Sequence, residues 1–233
     1  NYMNEHIKNI IENSKLIMEP FPHLIVDNLI PQEDFNNLKN EVNLLNNFQQ
    51  FTIHEGRFSI SSDTWTDNLY LLKEHLYNDD TKQLLKDKFK EQLTKLDEYK
   101  SNSTWNLNLS VDKSNYEIPP HLDSPSKQLS VLYYISGGNV GTSLYTNNHN
   151  GKEELDYKKA IKVSEVNFKE NRLFVFCSSI IDRTWHGVEK SNKEQKRIVI
   201  QGFLELDKKP KMDWHSFGIG SIRKLYKKRN DTF

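Results

Sequence analysis

Two histidines and a carboxylate in this chain are spaced so that they can meet. His121-Leu122-Asp123 follows Pro119-Pro120 and precedes Ser124-Pro125. In an extended chain, residues i and i+2 face the same side, so His121 and Asp123 can aim an imidazole and a carboxylate at one point. His186, within Trp185-His186-Gly187-Val188, comes 65 residues after His121, and Arg197 lies eleven residues beyond it. Two imidazoles and one carboxylate make a facial triad, a ligand set that suits non-haem Fe(II) and leaves positions open for a cosubstrate and oxygen. An arginine on a neighbouring strand offers a planar fork that grips a carboxylate at two points. The residue types alone leave plainer alternatives open. His121 can be a turn histidine with Asp123 capping it, and His186 a satisfied core histidine.

Other residues invite chemistry less strongly. Cys177 reads as a buried small side chain, since a catalytic thiol needs a neighbouring base and a lowered pKa. His54, Glu55 and Arg57 sit in a polar, hairpin-like stretch before Ser59 to Asp63. Such a stretch is either a solvated loop or a cover over a site. Lys127, near His121 and Asp123, poses the same choice. His149, in Thr-Asn-Asn-His-Asn-Gly, reads as exposed. No nucleotide-binding glycine loop, H-E-x-x-H helix or Ser-centred nucleophile elbow occurs.

The elements that must position these residues divide the chain. His23 to Ile30 reads as a strand ended by Pro31, which suits the first turn of a helix. Phe35, Leu38, Val42 and Leu45 recur at helical spacing and predict a helix over 32–46. Leu69, Leu72 and Leu76 mark a second helix. Leu85, Phe89, Leu93 and Leu96 mark a third, with Asp79 to Thr81 to cap it. After Tyr99 the texture changes, and Trp105 to Val111 alternates apolar and polar with period two. Trp105 to Val111, Leu129 to Ile135, Thr142 to Thr146, Leu173 to Cys177 and Ile198 to Leu206 are short β-rich runs between Gly, Asn, Asp and Ser clusters. Strands in this succession, without helices between them, indicate a sandwich or barrel. A helical amino half on one side of an antiparallel sheet makes the class α+β.

Composition narrows the partners. The 233 residues carry 32 basic and 32 acidic side chains, so a nucleic-acid partner is not expected. Residues 207–233 hold eight basic and three acidic residues, +5, which leaves −5 for residues 1–206. That basic extension, with Trp214, Phe217, Ile219, Ile222, Leu225 and Tyr226, is expected to pack back on the domain or form a subunit contact. The oligomeric state stays open. No apolar run approaches the ~18–20 residues that span a bilayer, and the charged amino end does not read as a signal peptide. One cysteine excludes an intrachain disulfide, and a reducing, cytoplasmic setting is the simplest reading.

The order of the motifs resembles the Fe(II)/2-oxoglutarate-dependent dioxygenases, in particular the prolyl 4-hydroxylase-like branch. His121-Leu122-Asp123 resembles that family's iron-binding H-x-D. Arg172-Leu173-Phe174-Val175-Phe176 resembles the strand before its distal histidine, and His186-Gly187-Val188 that histidine and its followers. Arg197, leading into Ile198-Val199-Ile200, resembles the basic residue on the 2-oxoglutarate C5 carboxylate. Pro20-Phe21-Pro22-His23-Leu24-Ile25-Val26-Asp27 and Gly141-Thr142-Ser143-Leu144-Tyr145 are weaker echoes of its first strand and Gly-rich turn. The resemblance spans about residues 18–206.

It implies a double-stranded β-helix, or jelly roll, with amino-terminal helices packed on one sheet. The single domain would cover residues 1–206, with a helical buttress over about 1–100 and the jelly-roll core over about 101–206. By the same resemblance, His121, Asp123 and His186 hold Fe(II), and Arg197 anchors 2-oxoglutarate. Tyr134 places its hydroxyl on the same carboxylate, Tyr133 faces away, and Leu144 lines the cosubstrate cavity. Arg57 is a candidate substrate contact. The cofactors implied are Fe(II), 2-oxoglutarate and O2, with ascorbate a candidate addition. The implied reaction hydroxylates a peptide side chain or a small molecule, releasing succinate and CO2. Two other classes stay open: a non-catalytic jelly-roll binding protein, and a cupin-like isomerase or hydrolase using another metal.

Overall fold

The structure, a computed structural model, describes residues 2–50, 54–95, 101–124, 126–146, 159–178 and 182–208. His149, Leu96 and all but the first two residues of the basic extension lie outside the described residues.

Helix α1 (Tyr2–Glu12) buries Met3, Ile7 and Ile11, one stripe at helical spacing. After β1 (His23–Asp27), α2 (Gln32–Leu44) buries Phe35, Leu38 and Val42. A short hairpin, β2 (Gln49–Gln50) with β3 (Arg57–Ser61), precedes α3 (Asp67–Leu76), which buries Leu69, Leu72 and Leu76. The third apolar stripe predicts one helix. The structure has two, α4 (Asp79–Lys88) and α5 (Lys90–Thr94), because Phe89 at φ −100°, ψ 20° leaves the helical region. The cap of α4 is Asn78, whose side chain accepts from the Thr81 N–H 2.9 Å away, one residue ahead of the expected start.

The remaining strands are β4 (Ser103–Asp112), β5 (Ile118–His121), β6 (Lys127–Ser136), β7 (Thr142–Thr146), β8 (Ile161–Val166), β9 (Arg172–Phe176), β10 (His186–Val188) and β11 (Arg197–Leu206). They form two antiparallel sheets. One has seven strands in the order β1-β9-β6-β11-β4-β3-β2, and the other has four, β5-β10-β7-β8. The large sheet therefore recruits β1, β2 and β3 from the first hundred residues.

Strand alternation splits the large sheet into two faces. Leu129, Val131, Tyr133 and Ile135 of β6, with Ile198, Ile200 and Leu204 of β11, share one core with Ile7, Phe35, Leu38, Leu69 and Leu85 of the helices. The in-between residues Leu132, Tyr134, Phe174, Phe176 and Val199 face the small sheet and pack with Leu144 and Val166. The fold is a double-stranded β-helix of class α+β, with the helices on the outer face of the larger sheet.

Candidate metal centre and adjoining cavity

The three proposed metal ligands arrive from two neighbouring strands and one loop. His186 opens β10 and pairs across the ladder with His121, the last residue of β5, while Asp123 follows two residues on. Gly187 permits this closeness: a Cβ there would stand 2.5 Å from the Ile118 carbonyl oxygen, so any side chain would force β10 off β5. The ring centroids of His121 and His186 are 4.3 Å apart. Each Nε2 lies 3.6 Å from Asp123 Oδ1, and the three donor atoms all fall within 4.8 Å of one another.

The surroundings orient each ligand. His121 Nδ1 sits 2.9 Å from the Pro119 carbonyl and His186 Nδ1 2.9 Å from the Thr184 carbonyl. A carbonyl only accepts, so both rings carry their proton on Nδ1 and turn the Nε2 lone pair toward Asp123. Ser130 donates to Asp123 Oδ2 at 2.5 Å, and Lys127 Nζ stands 3.7 Å from Oδ1. Burial alone would raise the Asp123 pKa. Lys127, then the two histidines, outweigh it and hold the carboxyl well below its usual range. Burial, reinforced by His186, pushes the His121 pKa down. The site thus offers two imidazoles and one carboxylate, all buried, converging on one point. That donor set fits Fe(II) with open positions.

A cavity of about 730 Å³ opens beside the triad and is lined by His121, Asp123 and His186 together with Arg57, Lys127 and Arg197. This volume is in the range of small-molecule sites. One row of the large sheet crosses the cavity at its end: Arg57 of β3, Asp112 of β4 and Arg197 of β11 stand in register. Asp112 Oδ1 accepts from Arg57 Nε at 2.6 Å, and Oδ2 accepts from Arg57 Nη2 at 2.9 Å and Arg197 Nη1 at 2.5 Å. Burial favours a neutral Asp112, but the two guanidinium groups outweigh it and lower its pKa. Two cations and one anion leave this buried row at +1, a charge that one ligand carboxylate balances.

Tyr134 and Leu144 lie one layer behind the cavity wall. The Arg197 guanidinium is 5.3 Å from the Tyr134 ring centroid, and the Tyr134 hydroxyl is 2.5 Å from Thr142 Oγ1, with Thr142 on the cavity surface. Leu144 pairs with His186 in the ladder and is buried in the core with Tyr134. Tyr133 points to the helices, its hydroxyl donating to Asn171 Oδ1 at 2.8 Å. Arg57 is buried on β3, with Tyr116 below its guanidinium at 4.1 Å. Cys177 is buried in the helix-facing core.

Sequence reasoning missed Asp112, Ser130 and Thr142. A signal for Asp112 does exist: Trp-Asn-Leu-Asn-Leu-Ser-Val-Asp alternates, so Asp112 continues the polar face of β4 into a buried position. Ser130 carries no such signal, because β6 is buried on both faces.

These features, two facing antiparallel sheets with a His-Asp-His cluster at their mouth, define the fold of the 2-oxoglutarate/Fe(II) oxygenases, the prolyl 4-hydroxylase-like branch among them. A prolyl 4-hydroxylase from Pseudomonas putida superposes with a TM-score of 0.50 at 15% identity, covering 87% of this chain and 100% of that one. HygX from Streptomyces hygroscopicus, solved with nickel, 2-oxoglutarate and hygromycin B, has a TM-score of 0.56 at 7% identity over 81% of this chain and 84% of its own. A prolyl 4-hydroxylase from Phytophthora capsici has a TM-score of 0.50 at 15% identity, over 95% and 74% of the two chains. No protein-family profile and no curated protein sequence matches the chain. No helix among the described residues is long and apolar enough to cross a membrane.

Proposed function

We propose that the protein is an Fe(II)- and 2-oxoglutarate-dependent oxygenase that hydroxylates a peptide side chain or a small molecule. Succinate and CO2 are the coproducts. The observation that carries this reading is the His121–Asp123–His186 cluster, with all donor atoms within 4.8 Å, opening into a cavity that ends at Arg197. His121, Asp123 and His186 would hold the iron, whose chemistry when bound is activation of O2 for attack on a C–H bond.

The other roles belong to the chain itself. Arg197 binds the far carboxylate of 2-oxoglutarate, helped by the +1 charge of its row. Tyr134 and Thr142 flank that carboxylate end, and Leu144 and Phe176 keep water from it. Arg57 holds Asp112, through which Arg197 keeps its orientation, and also faces substrate in the cavity. Ser130 and Lys127 keep Asp123 ionised and fixed. The domain runs over residues 1–206, with 207–233 a basic extension. The buried single cysteine suits a reducing, cytoplasmic compartment.

Anaerobic addition of Fe(II) and 2-oxoglutarate to the apoprotein should produce a weak visible charge-transfer band. His121→Ala should abolish it, and Arg197→Ala should demand far higher 2-oxoglutarate. The proposal fails if no band forms and His121→Ala binds iron as well as the parent.

A further inference from the structure

The inner face of the large sheet changes character along its width. Where the small sheet covers it, the in-facing residues are Leu132, Phe174, Phe176 and Val199. Beyond that cover the cavity floor continues over β11, β4, β3 and β2, and there neutral amides and hydroxyls surround the Phe203 ring, with Glu205 beyond it. Gln201, Asn108, Asn106, Ser61, Ser59 and Gln49 all line the floor.

The registers join these residues into a grid. Gln201 pairs with Asn108, Asn108 with Ser61, and Ser59 with Gln49. Ser110 ties the floor together, accepting from Asn108 Nδ2 at 3.2 Å and donating to Gln201 Oε1 at 3.1 Å. These two bonds leave the Gln201 amide donors and the Asn108 carbonyl for other partners. Strands ~4.8 Å apart with same-face residues ~7 Å apart make a floor roughly 14 Å across its four strands.

Charge restricts the occupant as well. Of the cavity cations, Arg57 and Arg197 are bound to Asp112, while Lys127 lies against Asp123 and over the Phe203 ring at 3.6 Å. Asp63 and Glu205 add two acidic side chains to the lining, with Lys127 opposite Glu205 in the ladder. An anionic group is therefore not invited there. An aliphatic or prolyl side chain laid on this floor would strip water from amides and hydroxyls and return no hydrogen bond. A ring bearing a hydroxyl, both donor and acceptor, on nearly every carbon satisfies both kinds of partner.

We infer that the cavity floor is the substrate subsite, and that it takes a neutral, polyhydroxylated small molecule of about two linked rings, a glycoside rather than a peptide. This deepens the oxygenase reading and rests on it only for what happens after binding, since the subsite itself needs no iron.

Saturation-transfer NMR on the apoprotein tests it, with a neutral glycoside mixture (lactose, sucrose and trehalose) and, separately, acetyl-Gly-Pro-Ala-amide. Saturation is expected on ring protons of at least one disaccharide and not on the peptide. Gln201→Leu should weaken the affinity for that disaccharide at least tenfold, and Ser61→Ala should weaken it to a smaller degree. The second variant, at an exposed position, keeps the test usable if the first does not fold. Saturation of the peptide alone, of nothing, or of a disaccharide whose affinity neither variant changes overturns the inference. Glycoside binding without any iron–2-oxoglutarate band would overturn the oxygenase reading and leave the subsite standing.

Discussion

Removing the Asp112 carboxylate tests the electrostatic logic of the cavity most directly. The side chain has no exposed surface and is the shared acceptor of two buried arginines, Arg57 and Arg197, at 2.5–2.9 Å. In Asp112→Ala two guanidinium groups face each other with no anion between them. Breaking a buried pair by deleting one partner costs ~3–5 kcal/mol. Against a total stability of ~5–15 kcal/mol the protein should still fold. For a chain of this size it should melt roughly 6–20 °C lower. Arg57→Ala is different, since it leaves Asp112 paired with Arg197, and should cost only ~1–3 kcal/mol. The double variant decides the matter, because removing Arg57 relieves the repulsion that Asp112→Ala creates. It should be more stable than Asp112→Ala alone, a coupling of ~1–3 kcal/mol. Urea titration of the three variants and the parent, read at a common m-value, measures all four corners. Destabilisations that simply add, or an Asp112→Ala cost below ~1 kcal/mol, would refute the view of the row as a charge cluster.

Three further outcomes follow from the site. Gly187→Ala places a methyl group against the Ile118 carbonyl, so β10 must shift and His186 with it. Metal titration should show weakened affinity with little loss of the far-ultraviolet dichroism, and an unchanged affinity would mean the ladder can yield. Ser130→Ala removes the donor that fixes Asp123 Oδ2, and metal affinity should fall ~10–100-fold. A parent-like Kd would show that Lys127 alone suffices. Third, His23 is buried between Phe21 and Phe174, and burial pushes its pKa below the ordinary 6.5. Burial, then His186, does the same to His121. Each folded-state pKa lies below its unfolded value, so this stability is whole above pH 6.5 and is lost as the unfolded chain takes up protons below it. Apoprotein melting should drop as the pH falls below 6.5, less steeply in His23→Gln, and a flat parent profile would contradict this.

Much of the architecture was legible in the chain because it is written in local periodicity. The α2 and α3 stripes follow from helical spacing, β4 from alternation, and β1, β6, β7, β9 and β11 from short apolar runs between turn residues. The break at Phe89 was not legible, since the apolar stripe runs through it unbroken and only the backbone angles of one residue divide it. Neither was β3. Arg57-Phe58-Ser59-Ile60-Ser61 alternates over only five residues, and the run becomes a strand by pairing along β4.

The site divides in the same way. The types of His121, Asp123, His186 and Arg197, and their order, are properties of the sequence, since ligand chemistry depends on side-chain identity. That Arg197 shares Asp112 with Arg57, that Ser130 clamps Asp123, and that amides and hydroxyls from four strands meet on the cavity floor were decided by tertiary structure. Those facts depend on register between strands as distant along the chain as those of Arg57 and Arg197, in a sheet whose order is not the chain's order. Periodicity tells which residues share a face, and only the folded sheet decides which faces meet.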